Sequence, residues 1–477
     1  MSFATVARQA LAELVRVSTE VEPLAARFAA AGQELYLVGG PVRDAMLARP
    51  GNDFDFATGA HPDQILELVG SLGPTWTTGI SFGTVGVQID EHRCEITTYR
   101  SDSYDPTSRK PEVAFGTTIE GDLGRRDFTV NAMAVALPVD ASRPIVDPFG
   151  GMDDLLARVL RTPVAAERSF DDDPLRMLRA ARFAAQLGFD VAPDALNAIR
   201  DMAARLEIVS AERIRDEIVK LLLAPDPRRG LELLVDTGLI DYCLPEVGRL
   251  TETVDEHRRH KDVYAHTLIV LEQAMASEPE GPDLVLRLAA LLHDIGKPKT
   301  KSIEADGKVT FHHHEVVGAA MTRHRLRALR FPKDVIDDVT RLVELHLRFH
   351  GYAEGAWTDA AVRRYVRDAG PLLNRLHLLT RSDCTTRNVR KAKMLAAAYD
   401  SLEARIADLA AREDLEKIRP DLDGNDIMRE LGIGPGPLVG KAYQHMLALR
   451  IERGPLSRED AVDELHTWAA ANDVARG

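Results

Sequence analysis

The chain of 477 residues has few cysteines and lacks a long apolar run. Its three cysteines, Cys94, Cys243 and Cys384, lie far apart and form no CxxC pair, which argues against a disulfide framework and a thiolate zinc site. No segment approaches the roughly 20 apolar residues that a membrane-spanning helix needs. The first residues also lack the basic start and apolar block of a secretion signal. We therefore expect no membrane partner and a cytoplasmic location.

An excess of positive charge is also missing, since the formal net charge is −14. The balance is uneven: residues 1–150 carry 12 Lys and Arg against 20 Asp and Glu, whereas residues 321–400 carry 16 against 9. A polyanion could dock on the basic region while the acidic region holds a metal ion. The alternative for the basic segments is a set of solvated helix faces.

The most informative segment that is present reads YLVGGPVRDAMLARPGNDFDFATG. In a strand, Asp53 and Asp55 would project from one face as a pair, and paired carboxylates suit Mg²⁺, which prefers oxygen ligands. Glu95, on the strand-like run CEITTYR, would complete a triad or else face solvent. Gly39 and Gly40 lack Cβ atoms, so a triphosphate could approach their N–H groups. The segment indicates a site for a nucleotide and a metal ion.

Two later motifs carry arginines beside aspartates. GRRDFTVNAMAV places Arg125, Arg126 and Asp127 at the start of a predicted helix, which favours a triphosphate. FDDDPLRMLRAARF places Asp173 and Arg176 three residues apart, on neighbouring faces of one predicted helix.

The sequence patterns divide the chain into a β-rich part and a helical part. Short β-rich runs alternate with helical pieces from about residue 34 to residue 137, and helical periodicity follows. We predict a multidomain α+β protein with a small mixed β-sheet head (1–155), an all-α neck for base recognition and RNA binding (156–250), a helical body (251–400) and a helical tail (401–477).

The ordered motifs LVGGPVRD…DFDFAT, RRDFTVNAMA, DPFGG, DDPLRMLRAARF and SAERIRDE resemble those of the class II tRNA nucleotidyltransferases, which include the CCA-adding enzymes, and of the related bacterial poly(A) polymerases. The resemblance covers about residues 30–245. It implies that Asp53 and Asp55 bind Mg²⁺, with Glu95 as a third acid. The residues expected to contact the nucleotide are Gly39, Gly40, Arg43, Arg125, Arg126, Asp127, Asn131, Asp173, Arg176, Arg179 and Arg182. The resemblance also implies that Asp173 and Arg176 face the incoming base, where an Asp that accepts from an exocyclic amine and an Arg that donates to a ring nitrogen would select C and A over U and G. The family usually has Glu-Asp where this chain has Asp172 and Asp173.

A second set of metal-ligand types lies in the body. Its members, in chain order, are His266, His293, Asp294 and Asp383. The set resembles that of the HD phosphohydrolase superfamily, whose members bind a divalent metal with such residues. Imidazole and carboxylate ligands suit Mn, Ni, Fe or Zn as well as Mg. His314 and His346 are candidates for a second metal ion. We expect this domain either to hydrolyse phosphate esters or to serve as a scaffold.

We predict that the chain adds C, C and A to tRNA 3′ ends from CTP and ATP without a nucleic-acid template, by a two-metal mechanism that releases pyrophosphate. A-only or poly(A) addition is the alternative within the family, because the same base-reading pair accepts ATP. A hypothesis from another class is an HD phosphohydrolase with a nucleotide-sensing head, and a third is a non-catalytic RNA-binding scaffold. The sequence leaves the oligomeric state open.

Overall fold

A computed structural model describes most of the chain and divides it into two compact units, Met1–Pro245 and Glu246–Gly477. The described residues are 3–49, 51–103, 112–139, 145–253, 262–305, 309–349, 352, 357–386, 388–413, 415 and 418–474. None of the described helices combines the length and apolarity that crossing a lipid bilayer requires.

The first unit contains a six-stranded mixed sheet in the order β3-β4-β5-β2-β1-β8. Its strands are β1 Leu35–Val38, β2 Asp53–Thr58, β3 Thr75–Trp76, β4 Thr84–Ile89, β5 His92–Thr98 and β8 Ala134–Ala136. Strands β2 and β5 run parallel, and the other neighbouring pairs run antiparallel. A hairpin of β6 Arg100–Ser103 and β7 Glu112–Phe115 follows β5. The four strands predicted from β-rich runs are β1, β2, β4 and β5.

Apolar side chains from β1 and β2 and from the helix after the hairpin form a core on the sheet. This cluster is Val38, Ala57, Tyr99, Ile119, Leu123, Ala132 and Ala134. The helices of the first unit up to the neck are α1 Phe3–Glu20, α2 Glu22–Ala30, α3 Gly40–Met46, α4 Pro62–Val69, α5 Ile119–Gly124 and α6 Gly151–Ala157.

The neck is helical apart from a two-residue ladder of β9 Val159–Leu160 with β10 Asp190–Val191. Its helices, with the short one at the unit boundary, are α7 Ala166–Asp172, α8 Leu175–Leu187, α9 Pro193–Met202, α10 Ala211–Leu222, α11 Pro227–Asp236, α12 Ile240–Cys243 and α13 Pro245–Gly248.

The second unit is helical with one short ladder, β11 Ser302–Ile303 with β12 Val309–Thr310. Its helices are α14 Val263–Ala276, α15 Leu284–Leu292, α16 Lys297–Thr300, α17 His314–Ala328, α18 Lys333–Leu345, α19 Asp359–Ala369, α20 Leu373–Ser382, α21 Val389–Arg412, α22 Gly424–Leu431, α23 Pro437–Arg453 and α24 Arg458–Ala471. The predicted class, a mixed-sheet head followed by helices, is confirmed. The finer division into neck, body and tail stays a prediction.

Candidate active site and metal centre

Three carboxylates lie on one face of the parallel strands β2 and β5. Asp55 is in register with Glu95 across the two strands, and Asp53 precedes Asp55 by two residues. The two phenylalanines that alternate with the aspartates are buried, so strand alternation turns the acids to the accessible face. Partial loss of hydration, together with the charges of Glu95 and Asp53, raises the pKa of Asp55, and Arg126 opposes the rise. A divalent cation relieves such crowding, so these ligands fit Mg²⁺.

Glu95 is the one of the three acids with an arginine partner on its own strand. Its side chain is 41% exposed and accepts a hydrogen bond from Arg93 Nη2 at 3.0 Å. The register with Asp55 supports a role as third metal ligand, which stays a prediction.

Gly39 shapes the entrance to α3 rather than offering its amide to a phosphate. Its N–H donates to the Met133 carbonyl at 3.3 Å, because the residue continues the pairing of β1 with β8. Its φ is +74°, and a Cβ there would lie 2.6 Å from Arg126 Nη1. Gly40 begins α3, where the first N–H groups have no partner within the helix. The glycines therefore leave room for the Arg126 guanidinium and one amide for a phosphate.

The helix start predicted at Arg125 is wrong. Helix α5 ends at Gly124 with Arg125 as its C-terminal cap, and a bend leads to the 3-10 turn Thr129–Asn131. The helix begins earlier because Thr118 caps it, and it cannot continue because the buried Phe128 adopts extended backbone. Arg125 and Arg126 therefore lie at the C-terminal end of α5 and not at a helix N-terminus.

A buried carboxylate that the motifs did not predict, Asp122, holds both arginines. It is 1% exposed, and its Oδ1 accepts from Arg125 Nε at 2.9 Å and Nη2 at 2.6 Å, while its Oδ2 accepts from Arg126 Nη2 at 3.2 Å. Burial favours the protonated form, but the two guanidinium groups outweigh it and lower the pKa of Asp122. The spacing of three and four residues to the arginines was the signal available in the sequence.

A second buried carboxylate, Asp127, joins three other predicted nucleotide-binding residues. It accepts from Arg179 Nε at 2.7 Å and from Asn131 Nδ2 at 2.9 Å, and Asn131 Oδ1 accepts from Arg43 Nη1 at 2.6 Å. Burial would raise the pKa of Asp127, but the charge of Arg179 and these hydrogen bonds lower it. The structure thus brings Arg43, Asp127, Asn131 and Arg179 into one network.

Arg182 is placed differently from the other predicted arginines. It is 7% exposed, and its Nε donates to Glu217 at 2.5 Å while its Nη1 donates to Gln186 at 2.7 Å. Glu217 was not predicted, because it lies 35 residues away in sequence. The charge of Arg182 is neutralised inside the neck, which favours a structural role over nucleotide contact.

The predicted base-reading pair lies at a junction and not on a single helix. Helix α7 ends at Asp172, Asp173 is extended, and α8 begins at Leu175. The reason is Pro174, because the residue before a proline disfavours helical backbone. Arg176 therefore lies in the first turn of α8, one turn beyond Asp173.

Each member of that pair has another partner in this structure. Asp173 Oδ2 accepts from Arg213 Nη2 at 2.8 Å, and Arg213 was not predicted as part of the site. Arg176 is buried, and it donates from Nη1 to Ser169 Oγ at 2.8 Å and from Nη2 to the Arg125 carbonyl. The carbonyl contact links Arg176, the arginine predicted to read the base, to Arg125 and so to the Asp122 carboxylate that Arg126 shares.

The second unit brings together all six residues predicted from the HD motif and its extra histidines. His266 Nε2 lies 3.0 Å from Asp383 Oδ1 and 3.6 Å from Asp294 Oδ2. His293 Nε2 is 3.2 Å from Asp294 Oδ2, and His314 Nε2 is 3.3 Å from Asp294 Oδ1. The sixth member is His346, whose ring centroid lies 5.3 Å from those of two neighbouring histidines.

The histidines turn Nε2 to the centre because Nδ1 is occupied. The Nδ1 atoms of His293, His314 and His346 lie 2.9, 2.8 and 2.6 Å from backbone carbonyl oxygens, and His266 Nδ1 lies 3.2 Å from Thr385 Oγ1. The buried Nε2 atoms of His293 and His314 face the Asp294 carboxylate, and His346 Nε2 is buried without a hydrogen-bond partner among the described residues. A buried polar atom without a partner destabilises the fold, and this orientation of Nε2 is typical of metal-ligating histidine. The cluster therefore fits divalent metal ions.

Two three-residue groups within the cluster share one carboxylate. His266, His293 and Asp294 bring ligand atoms within 4.8 Å of one another, and so do Asp294, His314 and His346. The two oxygens of Asp294 face different groups. Asp294 is common to both groups, so the residues of the cluster would suit a second cation, for which His314 and His346 stay candidates.

Charges within the cluster shift its histidines in opposite directions. Burial disfavours a charged His293, but Asp294 and Asp383 outweigh it and raise the pKa of His293 to about 10. Burial and neighbouring histidines lower the pKa of His346 to about 3. Lys297 Nζ lies 2.8 Å from Asp294 Oδ2, so a cationic group lies at the edge of the centre.

Most arginines of the basic region are paired with acids. Those with a partner within 4.0 Å are Arg323, Arg325, Arg341, Arg348, Arg363, Arg364, Arg367, Arg375 and Arg381. In contrast, Arg390, Lys391 and Lys393 are exposed in the first turns of α21, and within the described part of the chain no ion pair includes them. These three cations are available to a polyanion, as are Arg327 and Lys333, which are also exposed and take part in no ion pair among the described residues.

Comparisons with known proteins match both units. Three family models apply: "Poly A polymerase head domain" at residues 35–161, "Probable RNA and SrmB- binding site of polymerase A" at 188–250 and "HD domain" at 263–414. An A-adding tRNA nucleotidyltransferase of Deinococcus radiodurans is 34% identical over 91% of this chain and 95% of its own length. A CCA-adding enzyme of Streptococcus gordonii is 42% identical over 48% of this chain and 55% of its own length.

A solved structure extends the likeness to the whole chain. The Bacillus stearothermophilus CCA-adding enzyme in complex with CTP is 26% identical, with a TM-score of 0.68, and the match covers 95% of this chain and 98% of that one. The chain therefore belongs to the tRNA nucleotidyltransferase family, with a poly(A) polymerase head domain and a C-terminal HD domain.

Proposed function

We propose that this chain adds C, C and A to the tRNA 3′ end, taking the nucleotides from CTP and ATP without a nucleic-acid template. The observation that carries the proposal is the register of Asp55 with Glu95, with Asp53 on the same face and Arg126 beside them. The likeness to the Bacillus enzyme crystallised with CTP supports it. A cytoplasmic location belongs to the proposal and agrees with three free cysteines.

The acids and arginines of the head would serve distinct parts of the transfer. Mg²⁺ held by Asp53, Asp55 and Glu95 would lower the pKa of the RNA 3′-hydroxyl and neutralise charge on the leaving group. The 3′-oxygen forms a bond to the α-phosphorus, the bond from that phosphorus to the bridging oxygen breaks, and pyrophosphate leaves with the electron pair. Arg126 would neutralise triphosphate charge. The transfer needs no protein nucleophile.

Base selection would fall to the pair at the α7–α8 junction. Asp173 would accept from the exocyclic amine that CTP and ATP share, and Arg176 would donate to the adjacent ring nitrogen. To contact the base, Asp173 must give up its hydrogen bond with Arg213, and Arg176 must give up its hydrogen bond with Ser169. A matched contact pair contributes about 1–3 kcal/mol of discrimination against UTP and GTP.

Incorporation of labelled CTP into tRNA that lacks its last three nucleotides, with Mg²⁺, tests the proposal. We expect two C and then, with ATP, one A. Asp53→Ala should abolish incorporation, whereas Asp63→Ala, which removes an exposed acid at the start of α4, should not. Wild-type rates in Asp53→Ala would refute the assignment of the metal site.

A-only addition is the alternative that one observation favours. The relative that matches 91% of this chain is named an A-adding enzyme, and the base-reading residues accept ATP as well as CTP. Addition of A to tRNA that ends in CC, with no addition of C to tRNA that lacks all three nucleotides, would establish this alternative.

We further propose that the HD centre is a metal-dependent phosphohydrolase. The specific observation is the set of buried histidine Nε2 atoms that converge on Asp294. Mg, Mn, Ni, Fe or Zn suits these ligands. In hydrolysis, water supplies a hydroxyl group to phosphorus and a proton to the departing alcohol, and Lys297 lies where it can contact a phosphate oxygen.

Hydrolysis of bis(p-nitrophenyl) phosphate in the presence of each metal tests this second function. We expect His293→Ala to abolish hydrolysis and to spare CTP incorporation, and Asp53→Ala to do the reverse. Wild-type protein that binds metal but does not hydrolyse this ester with any of the five metals would instead act as a scaffold.

The exposed cations of α21 are the best candidates in the second unit for contact with tRNA phosphates. Each phosphate contact adds about 0.9 to the slope of log K against log salt for a duplex and about 0.7 for a single strand. Arg390→Gln with Lys393→Gln should therefore reduce the slope by about 1.4–1.8. The comparison variant, Arg327→Gln with Lys333→Gln, removes one exposed Arg and one exposed Lys elsewhere in the basic region. A wild-type slope in Arg390→Gln with Lys393→Gln would exclude the α21 surface.

A further inference from the structure

We propose that Asp122 is a positioning residue that couples triphosphate binding to base selection. The inference builds on the proposed nucleotidyl transfer, with Asp173 and Arg176 as the base readers. Asp122 itself touches neither nucleotide nor metal in this scheme. It acts through Arg125 and Arg126, which share its single buried carboxylate.

Asp122 acts on the proposed metal site through Arg126, and we call this chain of contacts the first branch. Its Nη2 donates to Asp122 at 3.2 Å, and its buried Nε has no hydrogen-bond partner among the described residues. Its Nη1 lies against Gly39, and its charge acts on Asp55. Without the Asp122 charge, the guanidinium would be drawn to Asp55, where it competes with Mg²⁺ and no longer meets the triphosphate.

Asp122 acts on the proposed base-reading residue Arg176 through Arg125, and we call this chain of contacts the second branch. Asp122 clamps the Arg125 guanidinium with two hydrogen bonds, at 2.9 and 2.6 Å. The carbonyl of the same residue accepts from Arg176 Nη2. Arg125 is the C-terminal cap of α5, where no further helical turn fixes its backbone. The clamp on its side chain therefore sets where its carbonyl holds the Arg176 guanidinium.

Loss of the Asp122 charge should affect both arginines at once, because both guanidinium groups depend on it. Two guanidinium groups converge on one carboxylate that is 1% exposed. If the carboxylate becomes a neutral amide of the same shape, the two cations repel each other at close range, and both must move. Loss of Asp122 should therefore weaken triphosphate binding and base selection at once, whereas loss of either arginine should affect its own branch.

Three variants separate the branches: Asp122→Asn, Arg125→Gln and Arg126→Gln. The assay measures kcat and KM for CTP and for UTP on tRNA that lacks its last three nucleotides. Arg126→Gln should raise KM for both nucleotides about tenfold to a hundredfold and keep the CTP-to-UTP ratio of kcat/KM. Arg125→Gln should lower that ratio about tenfold with a smaller change in KM. Asp122→Asn should show both effects.

A control distinguishes positioning from loss of a buried ion pair. Glu278 pairs with Arg287 at 2.7 Å in the second unit, and both side chains are at most 5% exposed, so Glu278→Gln should lower the melting temperature without changing KM or the ratio. If Asp122→Asn fails to fold, Arg125→Gln still decides the question, because Arg125 is 19% exposed.

The outcomes separate this inference from the proposed function. A lower melting temperature of Asp122→Asn with wild-type KM and ratio would overturn the inference, and so would an unchanged ratio in Arg125→Gln. Wild-type protein that incorporates neither C nor A would instead refute the nucleotidyl transfer itself.

Discussion

Removal of single ligands from the HD centre tests whether it holds two cations. Asp294 belongs to both three-residue groups, whereas His346 belongs to one. His346→Ala leaves the group of His266, His293 and Asp294 intact and reduces the other to two ligands. We therefore expect the HD centre to hold two metal ions in the wild-type chain and one in His346→Ala, counted beyond the ions held by the acids of the head. Asp294→Asn weakens both groups, so fewer than one tightly bound ion should remain in the HD centre.

The magnitude follows from the number of ligands lost at each site. Loss of a group that merely orients a ligand costs about 10–100-fold in metal affinity, and loss of one of three direct ligands should cost at least as much. A site with micromolar affinity would then empty during gel filtration. Mass spectrometry of protein loaded with Mn²⁺ and desalted gives the stoichiometry.

A matched control comes from a buried histidine outside the centre. His377 is 9% exposed and pairs with Glu403 at 3.4 Å, so His377→Gln should retain two ions. Two ions in His346→Ala, or wild-type content in Asp294→Asn, would refute the bridged arrangement. Loss of all metal in His346→Ala would show that the two sites fill only together.

Three further outcomes follow from the head. Gly39→Ala should cost about 1–3 kcal/mol of folding free energy in chemical denaturation, because its φ is +74°, and should raise the KM for CTP by displacing Arg126. Asp127→Asn should lower stability by about 1.5–3 kcal/mol at pH 7. Because Arg179 lowers the pKa of Asp127 in the folded state, this difference should shrink as pH falls below about 4, which urea unfolding at several pH values checks. Removal of divalent metal by EDTA should abolish CTP incorporation, and excess Mg²⁺ should restore it.

The sheet and its acids were predictable because their determinants are local. The alternation in DFDFAT requires only a strand, and β2 presents Asp53 and Asp55 as that pattern predicted. Helix boundaries around the arginines were harder, because they depend on the Thr118 cap, the buried Phe128 and the backbone restriction imposed by Pro174. These features act a few residues away from the motifs themselves.

Partners distant in sequence were the hardest to predict. Glu217 neutralises Arg182 across 35 residues, and Arg213 reaches Asp173 across 40. In the HD centre, motif order predicted the ligands, but the sharing of Asp294 between two groups depends on how α15, α17 and α18 pack. The residue types of a site are therefore easier to predict from sequence than the net charge that remains after its arginines have paired with carboxylates.

The predicted nucleotide-binding arginines differ in how much of their positive charge is neutralised by neighbouring carboxylates. Arg182 is matched by Glu217 inside the neck and contributes no net charge to a ligand. Arg125 and Arg126 share the single carboxylate of Asp122, so one positive charge remains beside the metal-binding acids. A triphosphate brings more negative charge than Mg²⁺ alone neutralises, and it is attracted where cations exceed acids. Although all three arginines lie in family motifs, Arg126 of the pair on Asp122 is therefore the one expected to meet the triphosphate.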